Sequence, residues 1–227
     1  MLTLDIDKRA PLRVLCLGAH SDDIEIGCGG TLLRLLACRS DCEVWWVVFC
    51  STPQRATEAR SSAAEFLRGA QKANIMIRDF RDGFLPYVGG QVKEVFEELK
   101  PQFSPDLVFT HYRDDRHQDH RLLSELTWNT YRDHFVLEYE IPKFDGDFGI
   151  PNVYSPLSQR EMDAKVELVM KAFHSQRAKH WFSPDLFYGL ARLRGMESVA
   201  PDGFAEAFYG RKVLLGVGDG SPPRPAP

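Results

Sequence analysis

The sequence predicts an α/β fold of the doubly wound type, a mostly parallel sheet with helices on both faces, in three layers. Two observations carry that prediction. Across roughly the first 140 residues, short β-rich apolar runs alternate with longer stretches of helical periodicity, the pattern of βαβ units. The apolar runs are also nearly continuous, as strands are when both of their faces are covered.

The elements run in order along the chain. Residues 13–18 form the first strand, and a helix is expected over 29–39, after the turn Gly27-Cys28-Gly29-Gly30. That glycine cluster fits neither G-x-G-x-x-G nor a P-loop, so it reads as a tight turn with close helix–sheet packing. A second strand at 43–50 leads to a helix over 53–72, with Thr52 as N-cap, Pro53 in the first turn and Gly69 near the end. Strands at 75–80, 106–111 and 135–141 alternate with helices at 91–100 and 118–132. The stretch 142–157, rich in Gly, Pro, Asp and aromatics, reads as a long ordered loop. Ser158 then caps a helix over 158–179, with Glu161 completing a capping box. A last strand is expected at 212–217 and a flexible tail at 218–227. No repeat or linker divides the chain, so residues 1–217 read as one domain, with 142–217 shaping the mouth of its site.

Composition excludes several classes of function. The 227 residues are 44% hydrophobic and 26% charged, which rules out disorder or a fibre for the bulk of the chain. The formal net charge of −4 supplies no field for a polyanion, so nucleic acid is not an expected partner. The longest apolar run, 44–50, is far short of the roughly 20 residues that span a bilayer, and no membrane insertion is expected. The opening residues mix charges of both signs before any apolar stretch, unlike a secretory signal, so a cytoplasmic location is expected. Five cysteines without a C-x-x-C pair suggest neither a disulfide framework nor a thiolate zinc site.

Four of the seven histidines fall in two short motifs. The first, Gly18-Ala19-His20-Ser21-Asp22-Asp23, comes directly after the first strand. The second, from His111 to His120, comes after the strand at 106–111 and packs three histidines and three aspartates into ten residues. Ligands of open parallel sheets bind beyond the carboxyl ends of the strands, where strand order reverses, so both motifs should face one crevice. Two histidines and a carboxylate make a metal site with open positions, which is a catalytic arrangement. His20, Asp23 and His120 are the expected ligands of a single Zn2+. Asp22 then stands free as general base, and His117 is placed to stabilise an oxyanion or protonate a leaving group, oriented by Asp119 or Asp115.

These residues resemble the PIG-L/LmbE-like zinc-dependent N-acetylglucosaminyl deacetylases. Ala19-His20-Ser21-Asp22-Asp23 departs from the family's A-H-P-D-D only at Ser21, and His111 through His120 match H-x-x-x-D-x-H-x-D-H throughout. The resemblance spans roughly residues 12–215. It implies a Rossmann-like fold, zinc held at His20, Asp23 and His120, Asp22 as general base, and His117 as the oxyanion-stabilising histidine supported by Asp119. It further implies Arg55 as a substrate contact, and His174, in a segment similar to a late family motif, as a residue of the substrate cleft. His111 and Asp115 are expected around the ligands as supporting residues. The implied substrate is a small acetamido sugar, free or conjugated, and a homo-oligomer is an allowed assembly. A non-haem iron enzyme on the same two histidines and one carboxylate, and a non-catalytic sugar-binding relative, are the alternatives.

Overall fold

A computed structural model of the chain describes Thr3, Ile6 and residues 11–214. The element order is β1 (Leu12–Gly18), α1 (Asp23–Cys38), β2 (Cys42–Cys50), α2 (Pro53–Phe66), β3 (Lys72–Phe80), α3 (Gly89–Leu99), β4 (Leu107–His111), α4 (Gln118–Thr130), β5 (Phe135–Tyr139), β6 (Val153–Leu157), α5 (Gln159–Ala172), α6 (Pro184–Ser198) and β7 (Phe204–Gly210). The seven strands form one sheet in the order β3-β2-β1-β4-β5-β7-β6. The first five are mutually parallel; β7 runs antiparallel to both β5 and β6.

This is the expected three-layer, doubly wound α/β architecture. One face of the sheet is covered by α1, α2, α5 and α6, whose core side chains include Ile24, Phe66, Val166 and Phe187. The other is covered by α3 and α4, through Val92, Phe96 and Leu123. β1 lies between β2 and β4, so strand order reverses at β1, and the two motif-bearing loops emerge side by side.

Several expectations need correction. α1 begins at Asp23, not after the glycines, so Gly27, Gly29 and Gly30 lie inside the helix. They make no turn there. They let the helix approach its neighbours: a Cβ on Gly27 would stand 2.2 Å from the Tyr139 ring, one on Gly29 2.7 Å from Phe66, and one on Gly30 2.5 Å from Leu157. The expected loop 142–157 ends in strand β6, and α5 stops at Ala172. The last strand is Phe204–Gly210 and not 212–217: residues 211–214 have no regular structure, and 215–217 lie outside the described residues, as does the expected tail. β7 is fixed by burial instead of β-propensity, because Glu206 on it accepts from Lys165 at 2.6 Å and from the Gly30 N–H at 2.8 Å. Among the described residues no helix is long and apolar enough to cross a membrane.

Candidate active site

β1 delivers the first motif. Its apolar run ends at Gly18, and the chain turns through Ala19, His20 and Ser21 before α1. The turn is fastened by the His20 N–H, which donates to Asp23 Oδ2 at 2.6 Å, and by the Cys50 N–H, which donates to the Ala19 carbonyl at 2.7 Å. Asp22 occupies the N-cap position, where a carboxylate commonly accepts from the first turn, yet it makes no cap bond. Arg55 Nη2 donates to its Oδ1 at 2.6 Å, while its Oδ2 is buried without a hydrogen-bond partner.

β4 delivers the second motif. His117 is the N-cap of α4, and its Nδ1 accepts the Asp119 N–H at 3.3 Å. That bond assigns the tautomer of the neutral ring: the proton sits on Nε2, in a side chain that lines the cleft. His120 lies one helical turn on, and both rings sit within 5.1 Å of the His20 ring.

The two loops bring three donor atoms together. His20 Nδ1 lies 3.1 Å from His120 Nε2 and 3.3 Å from Asp23 Oδ2, and His120 Nε2 lies 3.6 Å from that same oxygen. Ligands about 2.0–2.1 Å from a tetrahedral ion stand about 3.3–3.4 Å from one another. The three expected ligands therefore fit a metal ion, and Asp22, which lines the same cleft, keeps its Oδ2 buried and unpartnered. His20, His117 and His120 also place ring nitrogens within 4.8 Å of one another. His117 is not needed as a ligand, since three protein donors already leave the open position that marks a catalytic metal site.

Each of the two expected ligand histidines has a carboxylate at its other nitrogen, an arrangement that in metal sites fixes ring orientation and donor strength. His120 Nδ1 is 2.9 Å from Asp115 Oδ2. His20 Nε2 is 3.2 Å from Asp119 Oδ2 and 3.1 Å from Asp82 Oδ1. Asp119 is itself held by the N–H groups of Gly83 at 2.6 Å and Leu85 at 3.0 Å. The carboxylate of Asp119 thus supports His20 and not His117, contrary to expectation; it gives His117 only its backbone N–H, and its side chain turns toward the 83–85 backbone. His111 is buried, accepts the Ala19 N–H at Nε2 (2.9 Å) and stacks on His120 with centroids 3.9 Å apart, tying one loop to the other.

Arg55 lies in the cleft as expected, but its contact is with Asp22. His174 does not reach the cleft. It is exposed, in the short 3-10 turn after α5, and lines a separate groove with Thr57 and Glu58. Phe173 turns inward beneath Arg55 and so sends the next side chain out. The cleft residues from this region are Gln176, Lys179 and Trp181. Sequence reasoning also passed over Asp82 and Lys143. Asp82 had a usable signal, since it lies just past the carboxyl end of a strand; Lys143, in the irregular segment after β5, had none.

Charges in the site pull in opposite directions. Burial works to lower the His20 pKa, but the carboxylates of Asp23, Asp119 and Asp82 together hold it well above the ordinary histidine value. His120 is pushed down to about 3 by burial and by neighbouring His111. His117 is also lowered, by burial and then by His20. Burial raises Asp22 despite the opposing Arg55. Asp23 is held well below the ordinary carboxylate range: burial opposes this, but His120, His111 and His20 prevail. The cleft over these groups has a volume of about 600 Å³, with Phe144 and Trp181 among its walls.

A family model described as PIG-L: GlcNAc-PI de-N-acetylase matches residues 15–131, just over half of the chain and both motifs. The chain belongs to the PIG-L family of de-N-acetylases. It is 26% identical over 170 residues to the uncharacterized deacetylase YaiS of Escherichia coli (strain K12), covering 70% of this chain and 89% of that protein. Among solved structures, it is similar to the conserved protein TT1542 from Thermus thermophilus, with a TM-score of 0.72 at 23% identity, over 91% of this chain and 97% of that one. It is also similar to the N,N'-diacetylchitobiose deacetylase from Pyrococcus horikoshii, with a TM-score of 0.65 at 21% identity, over 90% and 85% of the two chains. These structural likenesses establish the fold.

Proposed function

We propose that the protein is a zinc-dependent N-deacetylase that removes the acetyl group from an N-acetylated amino sugar, free or conjugated, releasing acetate and a free amine. The observation that carries this reading is the close His20–Asp23–His120 triad in a cleft that also holds Asp22, whose Oδ2 is buried and unpartnered. Zinc, when bound by those three residues, supplies Lewis acidity that makes water more acidic and polarises a carbonyl.

The remaining roles belong to the chain's own side chains. Asp22 Oδ2 takes a proton from water as its oxygen attacks the acetyl carbon, with Arg55 holding the other oxygen in place. His117 donates its Nε2–H to the developing oxyanion. Its lowered pKa suits it to give a hydrogen bond rather than to store a proton. Asp22 then returns its proton to the nitrogen, the C–N bond breaks, and acetate departs with the water's oxygen.

The cleft volume lies within the roughly 300–1,000 Å³ range of small-molecule sites. Phe144 and Trp181 offer apolar faces to a ring, and likeness to a diacetylchitobiose deacetylase supports an acetamido sugar. Lys143, Phe144, Gln176, Lys179 and Trp181 all come from 142–217, which supports reading that region as the mouth of a single catalytic domain.

The test is acetate release from a panel of acetamido sugars and their conjugates, using zinc-loaded and chelator-stripped protein. Zinc-loaded protein is expected to release acetate, and stripped protein to regain activity on adding zinc. Asp22→Asn is expected to keep its metal and lose at least about 100-fold in kcat. Iron in the purified protein with oxygen-dependent turnover, or tight sugar binding without acetate release, would overturn the reading.

A further inference from the structure

We propose that Lys143 is a positioning residue that tunes the metal ligand His120 through Asp115; this rests on the reading of His20, Asp23 and His120 as zinc ligands. The side chain of Lys143 is only 12% exposed. Its Nζ lies 2.9 Å from Asp115 Oδ2, the same oxygen that stands 2.9 Å from His120 Nδ1. One carboxylate oxygen is therefore shared between an ammonium and the back of a ligand imidazole.

The other protons of the ammonium are also placed. Lys143 Nζ reaches Asp147 Oδ1 at 2.7 Å and the Ile141 carbonyl at 3.4 Å, and Asp147 Oδ2 accepts the Arg116 N–H at 2.6 Å. Lys143 thus fastens the segment after β5 to the second motif, and Phe144, the next residue, lines the cleft.

The contribution to His120 is one of charge more than of geometry. Asp115 Oδ1 accepts the His117 N–H at 2.7 Å, so that carboxylate stays oriented without Lys143. A bare carboxylate behind an imidazole draws on its N–H proton and makes the opposite nitrogen a stronger donor. An ammonium on the same oxygen withdraws part of that charge. His120 is left a weaker donor, and an ion bound there keeps more of its Lewis acidity. The segment that covers the cleft is consequently wired to a metal ligand through one salt bridge.

The experiment measures the zinc dissociation constant by chelator competition, the absorption spectrum of the cobalt(II)-substituted protein, and kcat and KM. It compares wild type with Lys143→Met, Lys143→Gln, Lys143→Arg and Asp147→Asn. Lys143→Met is expected to bind zinc about 10-fold more tightly, to shift the cobalt bands and to lower kcat more than it changes KM. Lys143→Gln, which keeps a hydrogen-bond donor and loses the charge, is expected to do the same should the Met variant fold poorly. Lys143→Arg is expected to restore all three readouts. Asp147→Asn, which loosens the segment and leaves the ammonium on Asp115, is expected to raise KM without changing zinc affinity. Zinc binding that is weaker or unchanged in both neutral variants would make Lys143 a mere tether and overturn the proposal. Wild-type protein that takes up neither zinc nor cobalt would instead overturn the metal assignment itself, a distinct outcome.

Discussion

Arg55 and Asp22 share a 2.6 Å ion pair that engages one oxygen of the carboxylate and leaves the other bare. The pair joins the start of α2 to the start of α1, and both partners are largely buried. Its chemical effect is to oppose burial, which by itself drives the Asp22 carboxyl toward its protonated form.

Removing the guanidinium should therefore leave less of Asp22, the proposed base, in its ionised, proton-accepting form. In Arg55→Met the Asp22 pKa rises further, so the carboxylate becomes protonated at a higher pH than in wild type. The acid limb of the kcat/KM profile is expected to move to higher pH, with activity at pH 7 down about 10-fold or more. A profile that keeps its acid limb would show that Arg55 contacts substrate alone.

Asp119→Asn tests the support behind His20. The amide retains the shape but no longer accepts as an anion from His20 Nε2 and the Gly83 N–H. Zinc affinity is expected to fall by about 10–100-fold, measured by chelator competition, while the zinc-saturated variant keeps a substantial part of its kcat. Loss of turnover at full metal occupancy would point to a direct part in the chemistry.

Gly27→Ala tests the packing of α1 on the sheet. The new methyl would meet the Tyr139 ring at 2.2 Å, and that ring is pinned because its hydroxyl donates to the Leu17 carbonyl at 2.6 Å. Destabilisation of about 1–3 kcal/mol is expected, read as a lower urea midpoint. A wild-type midpoint would mean that the helix shifts freely.

Glu25→Gln tests a buried acid. Burial pushes the Glu25 pKa well above its ordinary value of 4.5 in the folded protein. Above 4.5 the unfolded chain releases this proton before the folded one does, so the folded state binds more protons and stability falls as pH rises through the window. Glutamine cannot ionise. The variant is expected to gain in melting temperature over wild type at pH 8 and to gain much less at pH 4, by calorimetry. An equal difference at both values would show that Glu25 does not titrate in this way.

The parallel half of the fold and the clustering of His20, Asp23 and His120 were legible because each rests on a local pattern. Continuous apolar runs mark β1, β2 and β4, and histidines beside aspartates are not demanded by caps or turns. The chain beyond β5 was hidden for physical reasons. β6 contains Pro156, which ordinarily argues against a strand and is tolerated here because β6 is at the sheet edge. β7 reads Phe-Ala-Glu-Ala-Phe-Tyr-Gly, with weak β-formers at its centre, and is held by the buried Glu206–Lys165 pair. α6 carries Gly189 and Gly195, although Ser183 as N-cap and Pro184 in its first turn were signals of its start. The partners of Asp119 and Lys143 depend on contacts between distant segments, which spacing in the chain does not report.

The placement of β1 beside β4 also sets when the centre can exist during synthesis. His20 and His120 are 100 positions apart, and they meet only once β4 has docked against β1 and α4 has begun. A nascent chain that has emerged only as far as β3 carries His20 and Asp23, two of the three proposed donors, and lacks His120. Closing so long a loop is a late and comparatively slow event. On the zinc reading proposed above, metal capture would serve as a clock for the completed sheet, because the three donors come together only in chains whose parallel core is already assembled.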